Sequence, residues 1–452
     1  MLPQPLFHEP VFNEMDQTPD PTGFETPHDK KKDDALFAQL KGLLTKDVVS
    51  FDKKKGAPGA LFTLAQAYGP HGPSVVQQIQ NAGRIVFHSV GDSGASGLKS
   101  FPSELRVSDH LADDARTSPV NDRPSFLFHL GDVVYNFGES MFYFDQFYEP
   151  FRNYPAPILA IPGNHDSFIV PGTPSAQTPL TTFARNFCAP GPMVTKEAGS
   201  LHRTAMTQPG VYFTLDAPFV RIIGLFSNAL EDPGVISSEK ENKKKTWSKV
   251  PDFQLDYLTA QLNNIKQQNY QGAVLIAVHH PPFSYAPPPK AGGRGGNHGG
   301  SPNMLKEIDA ICKQQNVYPH AFISGHAHNY QRYTRTVRFG GNDFQVPFVV
   351  CGNSGHNANP LVQGRHGQPG QEPPKNKDTD VGYLDNNKTV DARGLVLNNY
   401  EDSHFGYLRI SVDKNRLALA FNAIPRIGAM PGPTPAPDVV TVDLASHKVV
   451  PN

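Results

Sequence analysis

Residues 126–135 constrain the fold of this chain more than any other segment does. They read Phe-Leu-Phe-His-Leu-Gly-Asp-Val-Val-Tyr, an apolar run that ends in a glycine and an aspartate, with a tyrosine three residues later. Such a run is typical of a buried parallel strand whose carboxyl end opens into a ligand-binding loop. Asp132 can offer its two oxygens to two metal ions, and the phenolate of Tyr135 suits a hard trivalent ion such as Fe(III). The segment therefore predicts a metal site at the edge of a parallel sheet.

Other apolar runs repeat this pattern along the chain. Amphipathic segments separate them, and two of these segments are predicted helices, one after Asp252 and one opening at Ser301-Pro302. Residues 211–228 contain two apolar stretches that predict a hairpin in a second sheet. This alternation of strands and helices predicts an α/β layer fold. The further runs cover residues 84–90, 157–161, 273–278, 321–324 and 348–350.

The composition indicates a globular protein without a strong electric field. The 452 residues are 38% apolar, enough for a sizeable core, and the formal net charge is -1. With its positive and negative charges nearly equal in number, the chain is not attracted as a whole to nucleic acid or an anionic membrane. No apolar run in the sequence is long enough to span a bilayer. Three cysteines are too few for a disulfide framework. The sequence leaves the oligomeric state open.

The chain is predicted to consist of an arm and one domain. Residues 1–80 are expected to form an extended arm with a short helix opened by Asp33 and Asp34, and residues 81–452 the domain, with a long polar insertion at about 355–400. The start lacks the basic and apolar regions of a signal peptide. This weakly favours the cytoplasm and leaves a periplasmic or secreted location open.

Five polar groups follow the predicted strands. Their Asp, Asn, His and Tyr side chains are ligands that divalent and trivalent transition metals prefer. Because side chains alternate along an extended backbone, His326 and His328 are expected on one side, where they can serve two adjacent ions. Singly, each group reads as a turn, but together they predict a metal site. The groups are Gly91-Asp92-Ser93-Gly94, Gly131-Asp132-Val133-Val134-Tyr135, Gly163-Asn164-His165-Asp166, His279-His280-Pro281 and Gly325-His326-Ala327-His328.

The order GD, GDxxY, GNHD, HxP and GHxHxYxR resembles the calcineurin-like metallophosphoesterases, and specifically the purple acid phosphatases, over about residues 84–425. The broad superfamily usually has a histidine ligand two residues after the first aspartate, where this chain has Gly94. Tyr135 is present instead, as in purple acid phosphatases. Gln331 departs from the family, which often has glutamate there. The resemblance implies a four-layer α/β/β/α sandwich.

The resemblance also implies a ligand set for two metal ions. A ferric ion would be bound by Asp92, Tyr135 and His328. A divalent ion (Fe, Zn or Mn) would be bound by Asn164, His279 and His326, with Asp132 bridging the two ions and His280 in a supporting position.

The expected activity is hydrolysis of phosphomonoesters by a metal-activated hydroxide. His165 is expected to donate a proton to the leaving oxygen, with Asp166 either orienting it or making a structural hydrogen bond. His298, from the glycine-rich segment 292–301, is expected to act on the substrate or to be an ordinary loop histidine. A phosphodiesterase on the same metal site is the alternative, and a non-catalytic interaction protein that keeps the fold is a third hypothesis.

Overall fold

The computed structural model describes part of the chain in detail. Most of the predicted arm, including its helix, and most of the predicted insertion at 355–400 lie outside the described residues. The described residues are 35, 61–97, 100–167, 180–201, 203–227, 234–237, 252–285, 298–361, 394–424 and 435–451.

The described residues form fifteen strands and six helices. The helices are α1 (Leu64–Ala67), α2 (Gly72–Ala82), α3 (Phe101–Thr117), α4 (Thr181–Phe187), α5 (Phe253–Gln267) and α6 (Pro302–Gln315). The first eight strands are β1 (Leu61–Thr63), β2 (Arg84–Val90), β3 (Leu127–His129), β4 (Ile158–Ala160), β5 (Phe213–Ala217), β6 (Val220–Leu225), β7 (Ala273–Val278) and β8 (Ala321–Ser324). The others are β9 (Tyr330–Phe339), β10 (Asn342–Cys351), β11 (Leu395–Glu401), β12 (Phe405–Asp413), β13 (Arg416–Ile424), β14 (Asp438–Asp443) and β15 (Lys448–Val450).

The first sheet has eight strands in the order β1-β5-β6-β7-β8-β10-β9-β11. Its central strands β6, β7, β8 and β10 run parallel. Strands β6, β7 and β8 are buried along their whole length, as expected for parallel strands covered on both faces. Helix α5 connects β6 to β7, and α6 connects β7 to β8. The predicted hairpin at 211–228 is β5 and β6, which pair antiparallel.

The second sheet has seven strands in the order β15-β14-β13-β12-β2-β3-β4. Strands β2, β3 and β4 are parallel, and β12 to β15 add an antiparallel extension on one side. The two sheets share one hydrophobic core. Within it, Phe128 of β3 lies 6.1 Å from Phe213 of β5, measured between ring centroids. Helices α2 and α3 contact the second sheet and α5 contacts the first, while α6 packs against α5 and its Asp309 forms an ion pair with Arg335 of β9, so the mixed α/β sandwich is confirmed.

Residues 61–82 are integral to the domain, although the sequence placed most of them in an arm. Strand β1 pairs in parallel with β5 at the edge of the first sheet. Thr63 caps α1 in a capping box with Gln66. The extended arm stays a prediction for the residues before β1. None of the described helices is long and apolar enough to cross a membrane.

The fold positions the site by bringing the carboxyl ends of parallel strands from both sheets to one edge. Hydrogen bonds connect the loops of the two sheets there. The backbone N–H of His326, after β8, donates to Asp92 Oδ2, after β2, at 2.7 Å. The ring of His279, after β7, donates from Nδ1 to the carbonyl of Leu130, after β3, at 2.8 Å.

Candidate metal centre

Three of the predicted ligands have left-handed backbone conformations. Asp92, Asp132 and His326 have φ values of 57°, 56° and 66°. Such conformations are uncommon for residues with a Cβ and persist only where the surrounding structure holds them. Each residue comes shortly after a buried strand, so the turn redirects the chain at the sheet edge, which is where the side chains gather.

Asp92, Tyr135 and His328 form one cluster of potential ligands. The Tyr135 hydroxyl lies 3.1 Å from Asp92 Oδ1 and 3.2 Å from His328 Nε2. His328 Nε2 lies 3.4 Å from the same Asp92 oxygen. Burial raises the pKa of Asp92 to about 7, against the opposing charge of His279. The three groups expected around a ferric ion are therefore brought together.

Asn164, His279 and His326 form a second cluster. Asn164 Oδ1 lies 3.1 Å from His279 Nε2 and 3.1 Å from His326 Nδ1. Because His279 donates from Nδ1 to a carbonyl, its neutral ring would present the Nε2 lone pair to a metal. A ligand atom from each of His279, His326 and Asp132 lies within 4.8 Å of the others. This arrangement fits one metal ion.

Asp132 has one oxygen that fits a metal ligand. Its Oδ1 accepts the backbone N–H of His165 at 2.9 Å, while Oδ2 is buried without a hydrogen-bond partner among the described residues. His279 Nε2 lies 3.4 Å from Oδ2. Burial alone would raise the pKa of Asp132 and lower that of His279. Their mutual attraction reverses both effects, holding the pKa of Asp132 well below its usual value and raising that of His279 to about 9. A metal ion would replace this attraction and release the His279 proton.

His165 lies beside Asp132 at the surface of the site. Its Nδ1 donates to the carbonyl of Asn136 at 2.8 Å, and its Nε2 lies 4.0 Å from Asp132 Oδ2. The residue is 9% exposed. Its ring is thus fixed from one side and directs the other nitrogen towards the metal centre.

The Asp166 carboxylate accepts the backbone N–H groups of Gly163, Val133 and Val134 at 2.9 to 3.1 Å. These bonds connect the loop after β4 to the loop after β3. Burial raises the pKa of Asp166 to about 7, and the Asp132 charge adds to the effect. The geometry favours the structural interpretation of Asp166 over an orienting role towards His165.

The segment that contains the predicted ligands also matches a known protein family. The family model for calcineurin-like phosphoesterases matches residues 90–330, slightly more than half of the chain. The chain belongs to this family. A search among curated proteins found no match.

Three solved structures resemble this chain at low identity. The purple acid phosphatase PPD1 from yellow lupin (Lupinus luteus) seeds has 14% identity and a TM-score of 0.48 over 80% of this chain and 54% of its own. This chain therefore spans about half the length of the lupin protein. GAP50, the anchor in the inner membrane complex of Plasmodium, has 12% identity and a TM-score of 0.44 over 75% of this chain and 84% of its own. PhoD has 12% identity and a TM-score of 0.45 over 81% and 72%.

His298 lies next to two of the predicted metal ligands. Its ring centroid is 4.1 Å from that of His326 and 5.7 Å from that of His328. The ring centroid of His280 lies 4.0 Å from that of His326, and His280 Nδ1 is 2.7 Å from the Ser227 hydroxyl. Two histidines therefore flank His326, with His280 buried and His298 half-buried.

The sequence prediction missed His356. Its ring stacks on Tyr135, with centroids 3.6 Å apart and planes at 8°. The signal was present, because the run at 348–350 ends, like the others, in a glycine-containing group, Gly352-Asn353-Ser354-Gly355-His356. This run alone was given no candidate ligand.

Proposed function

We propose that this phosphoesterase hydrolyses phosphomonoesters with a binuclear centre of Fe(III) and a divalent metal. The ferric ion would be held by Asp92, Tyr135 and His328, and the divalent ion by Asn164, His279 and His326, with Asp132 between them. Two such ions polarise the phosphoryl oxygens and supply an activated water as nucleophile.

The observation that carries this proposal is the contact of Tyr135 with Asp92 and His328. Burial raises the pKa of the Tyr135 hydroxyl well above its ordinary value, and the charges of Asp132 and Asp92 raise it further. A cation bound beside this hydroxyl would lower its pKa again and favour the phenolate, and it would do so more strongly the higher its charge. A ferric ion carries a high charge and prefers hard anionic oxygen ligands.

Gly94 independently supports a metal site in which Tyr135, rather than a histidine at position 94, is a ligand. A Cβ atom at Gly94 would lie 2.5 Å from the carbonyl oxygen of Val133 and 2.9 Å from Gln146 Oε1. The histidine that the broad superfamily usually has at this position does not fit the backbone of this chain. Tyr135 fills the corresponding role from the neighbouring loop.

His165 would donate a proton to the leaving oxygen. Its Nδ1 already donates to the Asn136 carbonyl, so a protonated ring presents Nε2–H on the side of Asp132, where the substrate phosphoryl group would bind. His298 would contact the substrate from the side of His326, where its ring lies. These two residues would stabilise charge that develops during attack and departure.

The test is metal analysis with a visible spectrum, followed by assays with p-nitrophenyl phosphate and its bis ester. The oxidised protein is expected to contain iron and a divalent metal, to be coloured by tyrosinate-to-iron charge transfer, and to prefer the monoester. A Tyr135→Phe variant that still binds iron should lose the colour. A colourless protein with two zinc ions would contradict the ferric assignment. Preference for the bis ester would make it a diesterase, and metal retention without turnover on either ester would make it a binding protein.

A further inference from the structure

His356 covers one face of the proposed tyrosinate ligand. The imidazole and the Tyr135 ring are nearly parallel, at 8°, with centroids 3.6 Å apart. The same imidazole lies edge-on to His328, at 5.1 Å and 71°. It therefore contacts two of the three groups proposed to hold the ferric ion.

The loop that carries His356 is bound to the loop of the third group. The backbone N–H of His356 donates to the Asp92 carbonyl at 3.0 Å, and that of Ser354 donates to the Gly91 carbonyl at 3.3 Å. Between them, Gly355 has a φ of +149°, and a Cβ there would lie 2.7 Å from the Ser93 carbonyl oxygen. Only glycine allows so close an approach, so the loop lies tightly against residues 91–93.

A hydrogen bond fixes the orientation of the His356 ring. Nδ1 lies 2.9 Å from the Gly94 carbonyl oxygen, and since a carbonyl can only accept, Nδ1 carries the proton. Nε2 has no hydrogen-bond partner among the described residues. The residue is 8% exposed, and its ring makes this bond, stacks on Tyr135 and lies edge-on to His328, so Tyr135 is its closest ring contact.

We propose that His356 is a positioning residue for the Tyr135 ligand. The inference rests on the proposed function and deepens it. The stack holds the phenol plane so that its oxygen stays within reach of Asp92 and His328, and it places an imidazole on the π-system that donates to the metal. Gly94 has two roles: its lack of a side chain leaves room for the loop of Tyr135, and its carbonyl oxygen accepts the hydrogen bond that orients His356.

The test compares His356→Ala with His356→Phe in the full chain. Supporting contacts of this kind change metal affinity by about 10- to 100-fold. His356→Ala should therefore lose one metal equivalent to a chelator about 10- to 100-fold faster than the wild type, and its charge-transfer band should shift. His356→Phe keeps a ring on Tyr135 and should restore most of the retention and band position. His71→Ala, which removes an exposed histidine from the turn between α1 and α2, is the control.

Each outcome decides the inference. Wild-type release and an unshifted band in His356→Ala would overturn it, with the ferric assignment intact. A wild-type protein without a charge-transfer band would overturn the ferric assignment instead. The role of His356 would then be decided by how fast His356→Ala and the wild type release the bound metal to a chelator. Equal loss in the alanine and phenylalanine variants would also overturn it, because the stack would then contribute nothing. Circular dichroism of both variants distinguishes these results from misfolding.

Discussion

Replacement of Gly94 by alanine tests the proposal that Tyr135 is a metal ligand and that Gly94 leaves room for it. The added methyl group would lie 2.5 Å from the Val133 carbonyl oxygen and 2.9 Å from Gln146 Oε1. Neither neighbour can easily retreat. Val133 donates its N–H to the Asp166 carboxylate, and Gln146 exchanges two hydrogen bonds of 2.8 Å with the backbone of Tyr135. The methyl group must therefore displace the segment that carries the ligand.

The expected cost follows from the tightness of this contact. An extra methyl group in a well-packed interior destabilises a protein by about 1–3 kcal/mol, or a factor of about 5 to 150 in the folding equilibrium. Gly94 has no left-handed backbone angle, so the cost is steric alone. Because the strain falls on the backbone of Tyr135, the iron-loaded variant should also show a weakened or shifted visible band.

Urea unfolding of the metal-free protein measures the first effect, and the spectrum of the iron-loaded protein measures the second. Gly97→Ala is the matched control, since a Cβ at Gly97 meets nothing within 4 Å. That variant should stay within about 0.5 kcal/mol of the wild type. Our reasoning is refuted if the two alanine variants are equally stable and equally coloured.

Further predictions concern catalysis and acid stability. Asp132→Asn should weaken binding of both metals and abolish turnover, because a neutral amide cannot balance two cations; metal analysis and a phosphatase assay check this, and wild-type turnover with both metals would contradict it. His165→Ala should lower kcat by about 10² to 10⁴ with metals retained, and by less for esters with good leaving groups; equal losses on good and poor leaving groups would rule out the acid role. His298→Ala should raise KM or change the preference among esters, with a smaller effect on kcat, and an unchanged substrate profile would return it to an ordinary loop histidine. Burial, and then the charge of His447, lower the pKa of His320 from 6.5 to about 3. The neutral His320 therefore contributes to stability above pH 6.5, and this contribution is lost as the pH falls towards 3. The stability difference between wild type and His320→Asn, measured by urea unfolding, should therefore shrink from pH 7 to pH 5, and a constant difference would show that His320 does not titrate on unfolding.

The strands next to the metal centre could be predicted because their signal is local. Strands β2, β7 and β8 coincide with the predicted runs at 84–90, 273–278 and 321–324, since strands buried on both faces are rich in apolar residues. A polar group directly after such a run must lie at the sheet edge. Asp92 and His279 were singled out on this basis, and the structure brings them to one site.

Other elements lacked such a signal. Strand β1 is three residues long, with one buried position, so residues 61–63 resemble loop until β5 pairs with them. Strands β12 and β13 alternate between buried and half-buried positions, a weaker pattern than a continuous apolar run. His356 follows a recognised run, with four residues between it and the end of β10, but the glycine-containing group after this run was given no candidate ligand.

The sequence by itself determined which donors stand at the strand ends, because an apolar run, a glycine and a polar side chain are properties of a few consecutive residues. Only the tertiary structure decided which donors meet. Asp92 and His326 are 234 residues apart along the chain, and Gly94 and His356 are 262 apart. Their contacts, the stack on Tyr135 and the lack of space at Gly94 arise from packing one sheet edge against another. That packing depends on the whole core at once, and no local pattern encodes it.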